Sequence, residues 1–250
     1  MDDLRGRVRG AGLPDLQWTE VARAPSGPIF AFASPGKDAI AWWNALRPNA
    51  STVGYPILIG TDEAVEQLRE ALKFVDRERG VVDAFDPQAW LQGRAGELVD
   101  GMEPDERAEF EASIHGPWPE LSPSTDFLIP IDRQKNKPHQ RIWIAVVQIA
   151  HPWEAAAAIE FGAWNACPTP EEHVGVMRYW SERWGAEPVG IAADTVEMLV
   201  ARPPTSRDDA LALANEQFAY CEDIVTQGVG TVEALAATLV DGRTWFFWWD

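Results

Sequence analysis

His173 stands six positions after Cys167, and a helix is expected to begin between them at Pro170. A thiol beside a helix N-terminus loses its proton more readily, and a neighbouring imidazole would complete a nucleophile–base pair. No oxyanion-type motif accompanies the two, and a structural thiol packed under Trp164 accounts for the same residues. The sequence therefore assigns no catalytic residue and leaves Cys167 and His173 as candidates. Zinc would draw on the same side-chain types, from His151, Cys167, His173 and Cys221. Their spacing lacks the close pairs of zinc modules, so neither metal nor cofactor is expected. Asp194, Glu197, Asp223 and Asp250 fall at expected strand or loop ends, where carboxylates commonly serve local turns. Paired, they would suit acid–base chemistry. Gln227-Gly228-Val229-Gly230-Thr231 precedes a helix and could cradle an anion with its amides. It has no lysine, and a turn with a threonine cap explains it fully.

Aromatic side chains supply the better binding candidates. Trp180, Trp184, Trp245, Phe246, Phe247, Trp248 and Trp249 are too many for one buried face. In a strand, Trp245, Phe247 and Trp249 point one way while Phe246 and Trp248 point the other. Some of these rings must be covered by the N-terminal half, by a ligand or by a partner. Because Trp and Tyr dominate interface hot spots, the expected ligand- or partner-binding set is Trp164, Asn165, Trp180, Tyr220, Gln227, Trp248, Trp249 and Asp250.

The charge balance narrows the partner class. The 250 residues carry 39 Asp and Glu against 21 Lys and Arg, a formal charge of -18. Residues 151–250 hold 16 of the acids and five bases, all arginine. Such a surface repels phosphate backbones and anionic lipid, so no nucleic acid and no membrane is expected. It favours solubility and steered association with a basic protein. Two cysteines do not make a disulfide scaffold, and Met1–Arg7 contains no apolar stretch, so a cytoplasmic setting is expected.

The elements that must position these residues are legible as a pattern. Residues 1–28 read as an irregular lead-in, followed by strands over 29–33 and 53–59 with a helix over 38–46 between them. Thr61 caps a helix with an apolar face of Val65, Leu68, Leu72 and Val75. Two helices follow, entered at Pro87 and Pro104. Five prolines and a polar stretch make residues 115–141 a connector, with an edge strand proposed at 127–131. Beyond it come a strand over 142–149, a short helix over 154–161 and a capping-box helix from Pro170 to Trp184 burying Val174, Met177, Trp180 and Trp184. A hairpin turns through Asp194-Thr195. Helices run from Ser206 to Cys221 and from Thr231 to Leu239, and a last strand spans 244–249. The fold class is α+β, a mixed or antiparallel sheet with helices mainly on one face and an N-terminal α/β extension. Three regions are expected: 1–114, the connector 115–141, and a C-terminal domain over 142–250.

Several C-terminal pieces are specific together: Trp164-Asn165-Ala166-Cys167-Pro168, Pro170-Glu171-Glu172-His173, Arg178-Tyr179-Trp180, Ala201-Arg202-Pro203-Pro204, Ala219-Tyr220-Cys221, Gln227-Gly228-Val229-Gly230-Thr231 and Trp248-Trp249-Asp250. On these, residues from about Ile142 to Asp250 resemble an uncharacterised bacterial family, the domain of unknown function numbered 4253. The resemblance implies a domain boundary and a bacterial cytosolic setting; it brings no reaction with it. The functional expectation is a non-catalytic protein-binding module, in one version an immunity-type inhibitor of a basic toxin. The alternative is an enzyme or small-molecule-binding protein with a pocket around Trp164, His173, Tyr220 and Cys221.

Overall fold

The computed structural model describes residues 12–25, 27–73 and 85–250. Seven strands form one mixed sheet: β1 (Trp18–Ala24), β2 (Gly27–Ser34), β3 (Tyr55–Gly60), β6 (Ile142–Val147), β7 (Ala186–Ala192), β8 (Thr195–Val200) and β9 (Thr244–Trp248). Their order is β1-β2-β6-β3-β7-β8-β9. Every neighbouring pair is antiparallel except β3 with β7. The sheet is thus two antiparallel halves joined along one parallel seam, where Leu58 faces Gly190. Two short strands, β4 (Ile131–Asp132) and β5 (Lys137–Pro138), form a separate hairpin.

The seam is stitched by side chains as well as by backbone. Tyr55 donates its hydroxyl to the carbonyl of Pro188 at 2.5 Å. Arg47 pairs with Glu187 at 2.5 Å and lies 5.0 Å over the Trp43 ring. The Trp43 indole N–H in turn reaches the Pro56 carbonyl at 2.9 Å. Burial pushes the Tyr55 phenol well above its usual range, so the hydroxyl stays a donor at neutral pH.

The helices are α1 (Gly36–Leu46), α2 (Asp62–Ala71), α3 (Pro87–Glu97), α4 (Pro104–Ile114), α5 (Pro170–Trp184), α6 (Arg207–Tyr220) and α7 (Val232–Leu239). Local chemistry sets their starts. Thr61, Asp86, Thr169, Ser206 and Thr231 each accept a first-turn amide with a side-chain oxygen. Gly185 ends α5 in the left-handed conformation at φ 63°.

Several expectations need correction. Part of the expected irregular lead-in is strand β1, whose mixed polarity suits an edge strand; the first 11 residues lie outside the described ones. Val75 of the expected α2 face also lies outside them. The α5 stripe is turned by one position: His173 and Val176 are buried with Met177, Trp180 and Trp184, while Val174 is only half-buried. Hydropathy reads histidine as polar, but this imidazole has hydrogen-bond partners inside. Of the turn expected over Gln227–Thr231, residues Gln227–Val229 belong to a π-helical segment, Ile224–Val229, while Thr231 caps α7 as expected. Within Phe127–Ile131 only Ile131 enters a strand, β4; the amides of Leu128 and Ile129 are taken by a side chain described below.

The connector is seated on the sheet rather than looped away from it. Ser124 accepts the amide of Arg243 at 2.7 Å and shares a 2.8 Å hydroxyl contact with Thr244. Gly36 at the start of α1 donates to the His139 carbonyl at 2.9 Å. A Cβ at Gly36 would lie 2.6 Å from that same oxygen. The obstacle is backbone, so Gly36→Ala must displace the connector. Overpacking of this kind costs about 1–3 kcal/mol. Urea unfolding should show a lower midpoint at unchanged slope.

Candidate functional site

Position 173 falls in the first turn of α5, and the capping box at Thr169 fixes that turn. The loop before it brings Cys167 back beneath the helix: Gly162 adopts φ 112°, and a Cβ there would collide with the Pro168 carbonyl. As a result Cys Sγ lies 3.5 Å from His173 Nε2. On the other side of the ring, Nδ1 lies 2.5 Å from the Tyr220 hydroxyl at the end of α6. Tyr220 has no second partner for its proton among the described residues, so it donates to Nδ1. The neutral imidazole then carries its proton on Nε2 and directs it at the sulfur.

Two of the sequence candidates are therefore brought together, joined by Tyr220 as a third. Their environment argues against nucleophilic chemistry. His173 and Tyr220 are wholly buried, and Cys167 is 5% exposed. Phe161, Tyr220 and Trp249 ring the imidazole with centroids 5.2–5.5 Å away. Desolvation lowers the His173 pKa to about 3 and drives the Cys167 thiol upward. Both stay neutral, the reverse of an activated thiolate–imidazolium pair. The arrangement is a polar relay that ties the 162–168 loop, α5 and α6 into one core.

Cys221, next to Tyr220, has its own hydrogen-bond partner outside that relay, and burial pushes its thiol up to about 12. It donates to the Trp248 carbonyl at 2.9 Å. His151 is exposed and stacks on Trp153. Among the described residues no three His, Cys, Asp or Glu side chains converge in a manner that would hold a metal ion.

The aromatic expectation divides. Trp245, Phe247 and Trp249 do share one face and are 0–2% exposed, whereas Phe246 and Trp248 on the other face are half-buried. The covering is supplied from within the chain. Trp180 stacks on Phe247 at 5.5 Å, and Trp90 of α3 meets Tyr220 edge-on. Trp90 also donates to Glu172 at 2.7 Å, and Phe85 fills the space above Gly175. Trp180, Tyr220 and Trp249, expected at a binding surface, are core residues. Periodicity could not reveal this, because the covering rings come from other segments: Trp90 on Tyr220, Phe247 on Trp180, and Phe161 with Tyr220 on Trp249.

The remaining expected residues gather around the last strand. Asn165 donates to the Asp250 carbonyl at 2.7 Å, and Asp223 accepts both the Gln227 amide at 2.7 Å and the Asp250 N–H at 3.0 Å. Trp248 donates its indole N–H to Asp194 at 2.9 Å. Trp164, half-buried, packs edge-on against Phe161. Each of these polar groups is used to hold Trp248–Asp250 in place.

Glu197 was grouped with turn acids, but it lies mid-strand in β8 and is 1% exposed. It faces Gly190 on one side and Phe246 on the other. Its carboxylate accepts the amides of Leu128 and Ile129, the latter at 3.1 Å. Desolvation raises its pKa to about 7 against the lowering effect of the two amides. An acid flanked by Val196 and Met198 is the only sequence sign that this carboxylate faces inward.

Residues 143–250 match a family model described as a domain of unknown function, DUF4253. No curated protein and no solved structure matches the chain. The matched residues supply β6 through β9, yet β3, which lies between β6 and β7, comes from residues 55–60.

Two outcomes follow. Native protein should resist thiol-specific labelling at both cysteines until denaturant is added; rapid labelling of Cys167 without unfolding would contradict a sealed relay. The pH dependence has two opposing parts. Glu197, with its folded pKa raised, contributes stability that is present below the unfolded value and lost as pH rises toward about 7. His173, with its folded pKa depressed, contributes stability that is lost as pH falls from the ordinary histidine range toward about 3. Glu197→Gln should therefore leave a thermal midpoint that rises steadily from mildly acidic to neutral pH, while the parent stays flatter.

Proposed function

We propose that this protein is a non-catalytic binding module that engages a basic protein partner through the arm formed by α3 and α4. One observation carries the reading. Residues 97–111 hold seven acids, Glu97, Asp100, Glu103, Asp105, Glu106, Glu109 and Glu111, and one base, Arg107. All seven acids are exposed. The α4 helix has only a narrow apolar contact: it is held by Phe110 against Phe218, by the buried Ile114, and by Glu233 receiving the Gly116 amide and facing His115. Like charges packed along one short helix repel one another, so this element gains from meeting positive charge.

An immunity-type role toward a basic toxin is one form of this reading, supported by the sign of the arm. The alternative of a pocket at Trp164, His173, Tyr220 and Cys221 has its residues close together. A ligand would have to displace part of the aromatic core to reach the enclosed imidazole.

The probe is a labelled arginine- and lysine-rich peptide followed by fluorescence anisotropy. Replacing Asp100, Asp105 and Glu109 by their amides should weaken binding about tenfold at low salt, three exposed pairs at up to ~1 kcal/mol each. Added salt should weaken it further. Amide replacement of Glu63, Glu66 and Glu70 on exposed α2 positions removes the same charge elsewhere. If that control costs as much as the arm variant, the effect is one of net charge and the arm is no interface.

A further inference from the structure

The pairing of β2 with β6 ends early. It runs from Ser34 with Ile142 to Ala31 with Ala145 and goes no further. Both strands continue past that point, but apart: residues 27–30 pair with β1 alone, and Val146 and Val147 with β3 alone. Over these residues each strand has one edge without a partner strand, in the interior of the seven-stranded order. An unpaired edge carries amide and carbonyl groups that act as a template for another chain.

An open groove of about 540 Å³ lies at this divergence. Residues 27–30 and 146–149 all line it, joined by Glu154, Ala157 and Ala158 from the helical turns over 152–158. A cavity on one face of a sheet touches alternate residues of a strand. Four consecutive residues from each side place this one along the strand edges. Its walls are mostly apolar, with Phe30 and Ile149 half-buried. Among the described residues that line it, Glu154 alone is charged. Glu154 Oε2 accepts the amides of Ala150 at 2.9 Å and His151 at 3.3 Å, and Oε1 has no partner among the described residues. Both donors are neutral, so no cation cancels the charge.

We propose that this groove receives a short extended segment of a protein partner, apolar with one lysine or arginine, which enters as a strand between β2 and β6. The main chain of the segment meets the two open edges, its apolar side chains meet Ile29, Phe30 and Ile149, and its cation meets Glu154. Strand addition takes affinity from main-chain hydrogen bonds and selectivity from the side-chain walls. Four residues of strand cover about 13 Å at ~3.3 Å per residue, so the segment is short. A small apolar amine satisfies Glu154 but leaves both edges open. This site is separate from the acidic arm, so either can fail alone.

The test is anisotropy of a labelled seven-residue peptide of valine and threonine with one central lysine. Its comparators are two versions N-methylated on either alternate set of main-chain amides, a version with glutamate for lysine, and butylamine as competitor. Saturable binding of the unmodified peptide is expected, with slower amide hydrogen exchange over residues 27–30 and 146–149. A strand between two neighbours uses both sets of amides, so either N-methylated version should bind about tenfold more weakly, the loss of two or three hydrogen bonds. Glu154→Gln should weaken binding about threefold, one partly exposed charge contact. Ala157→Leu, which narrows the groove from its helical wall, should weaken it as well. Absent binding, undiminished binding of an N-methylated or glutamate version, full competition by butylamine, or an unaffected Glu154→Gln protein would each overturn the assignment. So would loss of binding in the variant with Asp100, Asp105 and Glu109 replaced by their amides, which would place the peptide on the arm.

Discussion

Glu197 is a carboxylate in the sheet whose charge is met by two backbone amides, and much of the architecture is organised around meeting that need. An ionised carboxylate taken out of water without partners is costly by several kcal/mol. The amides of Leu128 and Ile129 are the partners supplied. They come close because the neighbouring β7 position is Gly190, over which the Ile129 side chain lies; a Cβ there would meet Ile129 Cδ1. A proline-rich connector is thereby drawn across the sheet beside the parallel seam. Its path then determines where the chain emerges on either side, with α4 before it and the β4–β5 hairpin after it.

The seam explains why the two ends of the chain belong to one sheet. β6 inserts between β2 and β3, so the first strand of the C-terminal region pairs on both sides with strands from the first sixty residues. A parallel junction between antiparallel halves offers few backbone pairs, and the Tyr55, Arg47–Glu187 and Trp43 contacts reinforce it. The region matched by the family model therefore does not close its sheet unaided. Trp90 and Phe85 extend the same dependence to the core, since Trp90 meets the Tyr220 ring at the end of α6 and Phe85 lies over Gly175 of α5.

What the sequence made legible follows from where its signals are local. Capping residues such as Thr61, Thr169, Ser206 and Thr231 act within one turn, and those helix starts stand as expected. The alternation of Trp245, Phe247 and Trp249 is a property of one strand, and it also holds. The errors lie where distant segments decide. His173 and Glu197 are polar letters whose burial depends on Tyr220 and on the 128–129 amides, which no window of sequence contains. Trp180, Tyr220 and Trp249 are buried for the same reason. Of the candidate site, the closeness of Cys167 and His173 was readable from spacing and the helix start; its enclosure was not.

Enclosure also decides which parts of the molecule can meet another. The interior groups that carry chemistry are neutral: an imidazole held near pKa 3, and thiols and a phenol raised by desolvation. Polar atoms near the last strand are spent on holding Trp248–Asp250. Exposed carboxylates remain on the outside, seven of them between Glu97 and Glu111 around α4 and others on α2 at Glu63, Glu66 and Glu70. The carboxylates along α4 repel one another, and Arg107 relieves this at Glu111. Another molecule therefore meets exposed charge first, because the His173 imidazole and both thiols lie inside the core.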